Sequence, residues 1–231
     1  MTGAIATWSG GKDSCFAAHL ALLAGYDVRS LANTVARDTG RVRFHGILGD
    51  VIRSQAEAIG RPLLQRATDA DNYERGFKDT VRAGIEDGVT SVVFGDIHLR
   101  HCLEWATRVC SELGVELVEP LFGRDPREVL AAFIDAGFEA IVVSTQAEIL
   151  GKEWVGRTID RSFLADIAAR PDVDACGENG EYHTLVVDGP LFTRRINISD
   201  AGPVLRGGYW FLDVRDHSLA PLTSRASGLG T

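Results

Sequence analysis

Trp8-Ser9-Gly10-Gly11-Lys12-Asp13-Ser14 joins a short apolar run, residues 4–8, to a stretch of helical spacing over residues 13–24. Two consecutive glycines let backbone amides approach a ligand closely. The helix that follows points its positive end at the same place, so the geometry suits an anion. Ser9 and Ser14 add hydroxyl donors, and Lys12 adds a point charge for phosphate oxygens. Asp13 either caps the helix or orients a magnesium-bound phosphate, and local chemistry favours the cap. The stretch is not a Walker loop: Ala6 stands where that motif has its first glycine, and Asp13 where it has Ser or Thr. It also lacks the third glycine of the dinucleotide fingerprint.

Outward from this loop, apolar runs at 28–35, 63–67, 91–94 and 115–118 alternate with amphipathic stretches at 48–59, 72–87 and 102–113. That alternation predicts βαβ units around a parallel sheet. In the first helix, Phe16, Leu20 and Leu23 mark the expected buried face. Pro120-Leu121-Phe122-Gly123-Arg124-Asp125-Pro126 breaks the pattern and places a boundary between residues 1–122 and a smaller α+β part, 123–231. The second part is expected to carry helices at 127–136 and 162–169. Its strands are expected at 140–144, 182–187, 194–199 and 209–214, with a fraying polar tail over 224–231.

Apolar residues make up 45% and charged residues 24%, ordinary globular proportions. A net charge of −8 gives no general attraction to nucleic acid or anionic membrane. Arg41-Val42-Arg43 and Arg194-Arg195 read as solvated surface. Four cysteines without a Cys-x-x-Cys pair argue against a zinc knuckle or a disulfide framework and for reduced thiols. No export signal precedes the first strand, and no apolar run approaches the roughly 20 residues of a membrane span. A soluble cytoplasmic protein without membrane partners is expected, with homo-oligomerisation left open.

Cys176-Gly177-Glu178-Asn179-Gly180-Glu181-Tyr182-His183-Thr184 is the second unusual cluster. Its glycines shape a turn presenting Glu178, and strand alternation after it is expected to put Glu181 and His183 on one face. Two carboxylates and an imidazole this close can hold ammonia or a cation, or move protons. Residue types alone leave a hairpin with a solvated polar face equally open. A two-His metal site from His98 and His101 is not expected. Gly95 and Asp96 end the fourth strand at the carboxyl edge of the sheet, where ligands of open α/β sheets gather; Asp96 either faces the nucleotide or caps the next helix.

Ser-Gly-Gly-x-Asp-Ser after an amino-terminal strand resembles the PP-loop of the N-type ATP pyrophosphatases, a HUP-type (adenine nucleotide alpha hydrolase-like) fold. The resemblance implies that Ser9, Gly10, Gly11, Lys12, Asp13 and Ser14 contact ATP phosphates, with Mg2+ accompanying them. Together with the late cluster, with Phe94-Gly95-Asp96-Ile97 and with Gly156-Arg157, nearly the whole chain resembles the diphthine–ammonia ligase (diphthamide synthase) family. That implies a carboxylate adenylated by ATP and an amide formed with ammonia, with Glu178, Glu181 and His183 serving the acceptor side. The family's diphthine ligases read Glu-Gly-Gly-Glu-(Phe/Tyr)-Glu; here Asn179 replaces a glycine and His183 a glutamate, a departure that resembles the bacterial-type subgroup and leaves the acceptor carboxylate open. Two rival functions are a PP-loop tRNA-modifying enzyme and an ATP-binding protein without turnover. Thiolating enzymes of the first kind commonly need catalytic cysteines, and nucleic acid needs a basic surface. No glutaminase unit fits this length, so free ammonium or a separate partner is the expected nitrogen source.

Overall fold

In the computed structural model, which describes residues 2–222, the first half alternates strand and helix as its periodicity predicts. Strands β1 (Thr2–Thr7), β2 (Tyr26–Ala36), β3 (Leu63–Thr68), β4 (Ser91–Val93) and β5 (Glu116–Val118) are interleaved with helices α1 (Lys12–Leu23), α2 (Gly49–Ile59), α3 (Tyr73–Glu86) and α4 (Arg100–Leu113). All pairings are parallel, in the order β3-β2-β1-β4-β5. Ala4, Ile5 and Ala6 are buried, as a central strand covered on both faces requires. The strand order reverses between β1 and β4, so loop 9–14 leaves the sheet at the switch point, where α/β sheets bind ligands.

The second half holds α5 (Pro126–Asp135), β6 (Glu139–Gln146), α6 (Arg161–Ala168), β7 (Tyr182–Asp188), β8 (Arg194–Arg206) and β9 (Tyr209–Pro221). Its strands form an antiparallel sheet in the order β7-β6-β9-β8. The β8–β9 hairpin runs well past the expected strand ends. A register shift between Ile198 and Ala201 interrupts the alternation, and Asp200, Gly202 and Pro203 are poor strand formers, tolerated because β8 is an edge. The expected tail, 224–231, lies outside the described residues. Among those described, no helix is long and apolar enough to cross a membrane.

Helix α1 buries Phe16 and part of Leu20 as expected, but not Leu23. Leu23 is 71% exposed, whereas Cys15, Phe16, Ala17, Ala18 and Ala21 are buried. The helix lies against both halves: the Phe16 ring meets Phe133 edge-on at 6.0 Å and Phe138 at 6.2 Å. Small residues let neighbouring elements come close, so a continuous apolar cluster runs from β1 through α1 and α2 into β6 and β7.

Strand β7 also reaches the loop itself. The Val186 N–H donates to the Gly10 carbonyl at 2.9 Å. The Gln55 amide of α2 donates to the same carbonyl at 3.0 Å and to the Val186 carbonyl at 2.7 Å, and its Oε1 accepts from the Trp8 indole at 2.7 Å. Gly10 has φ +83°, and a Cβ there would stand 2.5 Å from Ile52 and 2.9 Å from Gln55 Oε1, so only glycine fits. Gln55→Leu keeps the volume but leaves the Trp8 N–H and the Val186 carbonyl without partners. At roughly 1–3 kcal/mol per orphaned group, it should lower unfolding free energy by about 3 kcal/mol in urea titration. Wild-type stability would show that this amide does not tie α2, loop and β7 together.

Candidate functional site

Gly11 is the N-cap of α1, extended and without a side-chain cap. Asp13 therefore does not cap the helix, contrary to expectation. It lies in the first turn, where Oδ2 accepts from the Lys12 ammonium at 2.9 Å and the buried Oδ1 has no partner. The Ser9 and Ser14 hydroxyls lie 3.2 Å apart. Ser9 Oγ accepts from the Gly11 N–H at 3.2 Å, and Ser14 Oγ donates to the Gly11 carbonyl at 3.1 Å. These bonds fold the loop onto the helix start, where the positive end of α1 attracts anions.

Lys12 departs from its expected direction. Its side chain is 3% exposed, and the ammonium donates to the Cys176 carbonyl and to Asp13 and sits 4.9 Å from the Tyr182 ring centroid. Burial opposes the charge, but the adjacent Asp13 carboxylate and its other partners outweigh burial and hold the pKa above the ordinary lysine value. A buried cation goes where acceptors are, and here the second half supplies them.

Gly95, just beyond β4, backs onto the same turn: a Cβ there would stand 2.8 Å from the Asp13 carbonyl carbon. Asp96 follows. It does not cap α4, whose N-cap is Leu99. Burial, then the Asp13 charge, raises its pKa. Glu119 after β5 and Glu178 in the turn before β7 bring four carboxylates from four elements into mutual electrostatic range. Glu178 accepts from the Ile97 N–H at 2.9 Å, while both Glu119 oxygens are buried without hydrogen bonds. Burial pushes each up to about 7. Repulsion from Asp96 and Glu178 adds to the shift at Glu119, and repulsion from Asp13 and Asp96 adds to it at Glu178. Glu178 thus joins Asp13 and Asp96 beside the loop, rather than standing apart with Glu181 and His183.

Glu181 is placed differently from the expectation. Strand β7 starts at Tyr182, so alternation does not bring Glu181 onto the His183 face. Its carboxylate is 3% exposed and accepts from the Asp174 N–H at 2.9 Å, the Asn179 N–H at 3.0 Å and the Asn179 amide at 3.2 Å. A buried carboxylate satisfied by its own turn holds that turn in shape. His183 instead meets His45, ring centroids 4.7 Å apart, from the connection between β2 and α2. His45 Nδ1 is 3.0 Å from the Thr184 carbonyl, and the Thr184 hydroxyl accepts from the Lys12 N–H at 2.9 Å.

His45 and Gln55 are contributors that sequence patterning does not single out, and Thr184 ends the late cluster without a role read from it. The signal available for His45 was the length of its connection, 37–48, which lacks any periodicity; long loops in compact domains are often functional. The same connection corrects the surface reading of Arg43. That side chain is half-buried, with Nε unpartnered and Nη2 3.4 Å from the Thr68 carbonyl. Arg41 pairs with Asp213 at 2.8 Å.

His98 approaches Asp174 at 3.1 Å, and no group of three or more His, Cys, Asp or Glu among the described residues forms a metal cage. All four cysteines are free. Burial, with Asp96 adding, pushes the Cys102 thiol up to about 11, and burial, with Glu119 adding, does the same to Cys110, opposite to what a nucleophile requires. A cavity of about 660 Å3 between β3 and α3, lined by Arg66, Arg75 and Thr80, shares no residue with the loop.

Two family models match the chain. A family model described as diphthamide synthase N-terminal domain matches residues 2–117, and one described as diphthamide synthase C-terminal domain matches residues 125–218. The diphthine–ammonia ligase of Danio rerio is 27% identical over 232 residues, covering 89% of this chain and 90% of that protein. That of Schizosaccharomyces pombe is 27% identical over 213 residues, and there the match spans 83% of this chain but 35% of the longer relative. A solved structure described as a predicted subunit of tRNA methyltransferase from Methanocaldococcus jannaschii aligns at a TM-score of 0.47 and 14% identity, over 82% of this chain and 98% of that one.

The carboxylate cluster gives a signed pH dependence. Glu119 rises from its ordinary 4.5 to about 7, so between those values the folded chain holds a proton that the unfolded chain has lost. The group then destabilises the fold increasingly as pH rises from 4.5 to 7 and changes nothing further outside that window. Glu119→Gln removes this contribution. Unfolding free energy of the variant relative to wild type should climb across pH 4.5–7 and stay flat on either side. Parallel pH profiles would remove Glu119 from the cluster.

Proposed function

Because the chain belongs to the diphthamide synthase family, we propose that it is an ATP-dependent ligase that adenylates a carboxylate and converts it to an amide with ammonia. One juxtaposition supports this above all: the loop after β1 and the turn carrying Glu178 meet at the carboxyl edge of the sheet, linked through Lys12 to Cys176 and through Ile97 to Glu178. A carboxylate held against that turn would lie beside the α-phosphate of a nucleotide held in the loop. Residues 1–122 would then bind ATP, and residues 123–231 would supply the acceptor side.

In the first step a carboxylate oxygen attacks the α-phosphorus, the bond to the bridging oxygen breaks, and pyrophosphate leaves. In the second, ammonia attacks the acyl carbon, the bond to the AMP oxygen breaks, and a proton leaves nitrogen for a nearby base. Ser9, Gly10, Gly11 and Ser14 are assigned to the phosphates, with Gly95 allowing the strand end to approach. Lys12 is assigned to holding Asp13 and the Cys176 turn in place. Mg2+ fits the site chemically, since a magnesium ion carried by ATP needs only one or two carboxylates and Asp13 has an unpartnered oxygen. Asp13 and Asp96 would hold it, and it would neutralise phosphate charge. Glu178, its pKa raised by burial to about 7, is assigned to holding the incoming nitrogen; His183 packs on His45, which lies beside Gly11.

Phosphorus NMR of the reaction with ATP, ammonium and a panel of carboxylic acids tests this directly. AMP and pyrophosphate should appear in equal amounts with the correct acid. Glu178→Gln should lower turnover by roughly 100-fold, the scale of general acid–base catalysis. ADP and phosphate as products would overturn the mechanism.

A further inference from the structure

Because Lys12 spends its charge on Asp13 and the Cys176 carbonyl, the outer side of the loop lacks the cation that its sequence promises. The group that does lie against it is His45. A Cβ on Gly11 would stand 2.6 Å from His45 Cε1, so the imidazole edge rests on the loop backbone where the helix begins. The contact from Nδ1 to the Thr184 carbonyl fixes the tautomer: a carbonyl only accepts, so Nδ1 carries the hydrogen. In a neutral ring Nε2 then holds a lone pair.

His183 lies against this ring at 4.7 Å, and Phe44 packs on His183 at 6.1 Å. Phe44 has φ +64°, the one non-glycine residue with positive φ among those described, and is 73% exposed. The loop thus adopts an unfavourable backbone conformation while it seats His45 on Gly11, as strained residues at functional sites often do. The charged groups facing the pair are Lys12 from α1 and each ring from the other; Arg41, from the same connection, is occupied by Asp213 of β9. Burial, and then Lys12, disfavours a cation at His45, whose pKa falls to about 4, although its bond to Thr184 works the other way. Burial, His45 and Lys12 likewise hold His183 down. No carboxylate is among these influences. A polyphosphate in the loop would be the first strong negative charge next to the rings, and an anion at close range favours the imidazolium.

We propose that the His45–His183 pair takes up a proton when nucleotide phosphates enter the loop, and that the resulting Nε2–H of His45 is the cationic phosphate contact in place of the Lys12 ammonium. This rests on the reading that the loop binds nucleotide phosphates. It adds a phosphate-binding residue from outside the loop and couples nucleotide affinity to pH.

The test is calorimetric titration of the full chain with α,β-methylene-ATP, which cannot be cleaved between those phosphates, in buffers of different ionisation enthalpy. At pH 7.5, above the second phosphate pKa of about 6, binding should take up roughly half to one proton per nucleotide, and affinity should strengthen towards acid by up to about tenfold per pH unit. The histidine Cε1–H resonances should move to the imidazolium position on binding. His45→Asn keeps a donor for Thr184; it should abolish proton uptake and weaken binding about tenfold, with urea stability retained. Binding without proton uptake, or with the histidine resonances unmoved, would overturn the inference while leaving the nucleotide site intact. Failure of the wild-type chain to bind the nucleotide would overturn the functional reading and this inference together.

Discussion

The Gly10 carbonyl accepts two hydrogen bonds, one from the Val186 amide of β7 and one from the Gln55 side chain of α2. A loop meant to wrap an anion is otherwise a poor candidate for order, because its glycines lose the most entropy when fixed and its amides must stay open for the ligand. Holding it by carbonyls resolves the conflict. Carbonyls cannot bind phosphate, so tying down that of Gly10 removes motion without occupying a donor, while the Gly11 and Lys12 N–H groups are held by the Ser9 and Thr184 hydroxyls. The grip comes from both halves of the chain, and the Trp8 indole extends it back to the end of β1 through Gln55 Oε1. A loop fixed before ligand arrives meets the geometric demand of catalysis by positioning.

The same docking gathers negative charge. Asp13, Asp96, Glu119 and Glu178 come from α1 and from the ends of two strands and a turn, and none is a strong neighbour of another in sequence. Lys12 pairs directly with Asp13, and its charge also acts on Glu178. All four hold protons to higher pH, through burial first and neighbouring carboxylates second. Such an arrangement is unfavourable for the empty fold and favourable for a cation brought in with the substrates. The unpartnered oxygen of Asp13 marks where that cation would find an acceptor.

The parallel sheet was legible because strand and helix periods differ and the glycine turns between them are sharp: β1, α2, β3 and α3 fall within two residues of their expected limits. Loop 9–14 was legible because its chemistry is local. What patterning missed is long-range. Residue type identifies Lys12 as a cation but not the direction it takes, which depends on a carbonyl 164 positions away. Strand alternation paired Glu181 with His183, but alternation holds only inside a strand, and β7 begins one residue after Glu181. Leu23 was expected inside and lies outside, because α1 is approached from several sides by elements that its own spacing does not encode. Gln55 looks like any polar residue on an amphipathic helix until three partners are seen around it.

Thr184 shows how far the two halves depend on each other. Its hydroxyl accepts from the first amide of α1, its carbonyl meets His45, and two residues on, Val186 holds Gly10. These contacts alternate with buried side chains, Leu185 and Val187, that anchor β7 in the core. One strand thus carries a polar edge for the loop and apolar faces for the interior, which period-two geometry makes possible. Separated at the break between the matched regions 2–117 and 125–218, the first half would lose partners for Gly10, Lys12 and His45, and Phe16 would lose Phe133 and Phe138. The phosphate loop belongs by sequence to the first half, but by its bonds it is a structure of the whole chain.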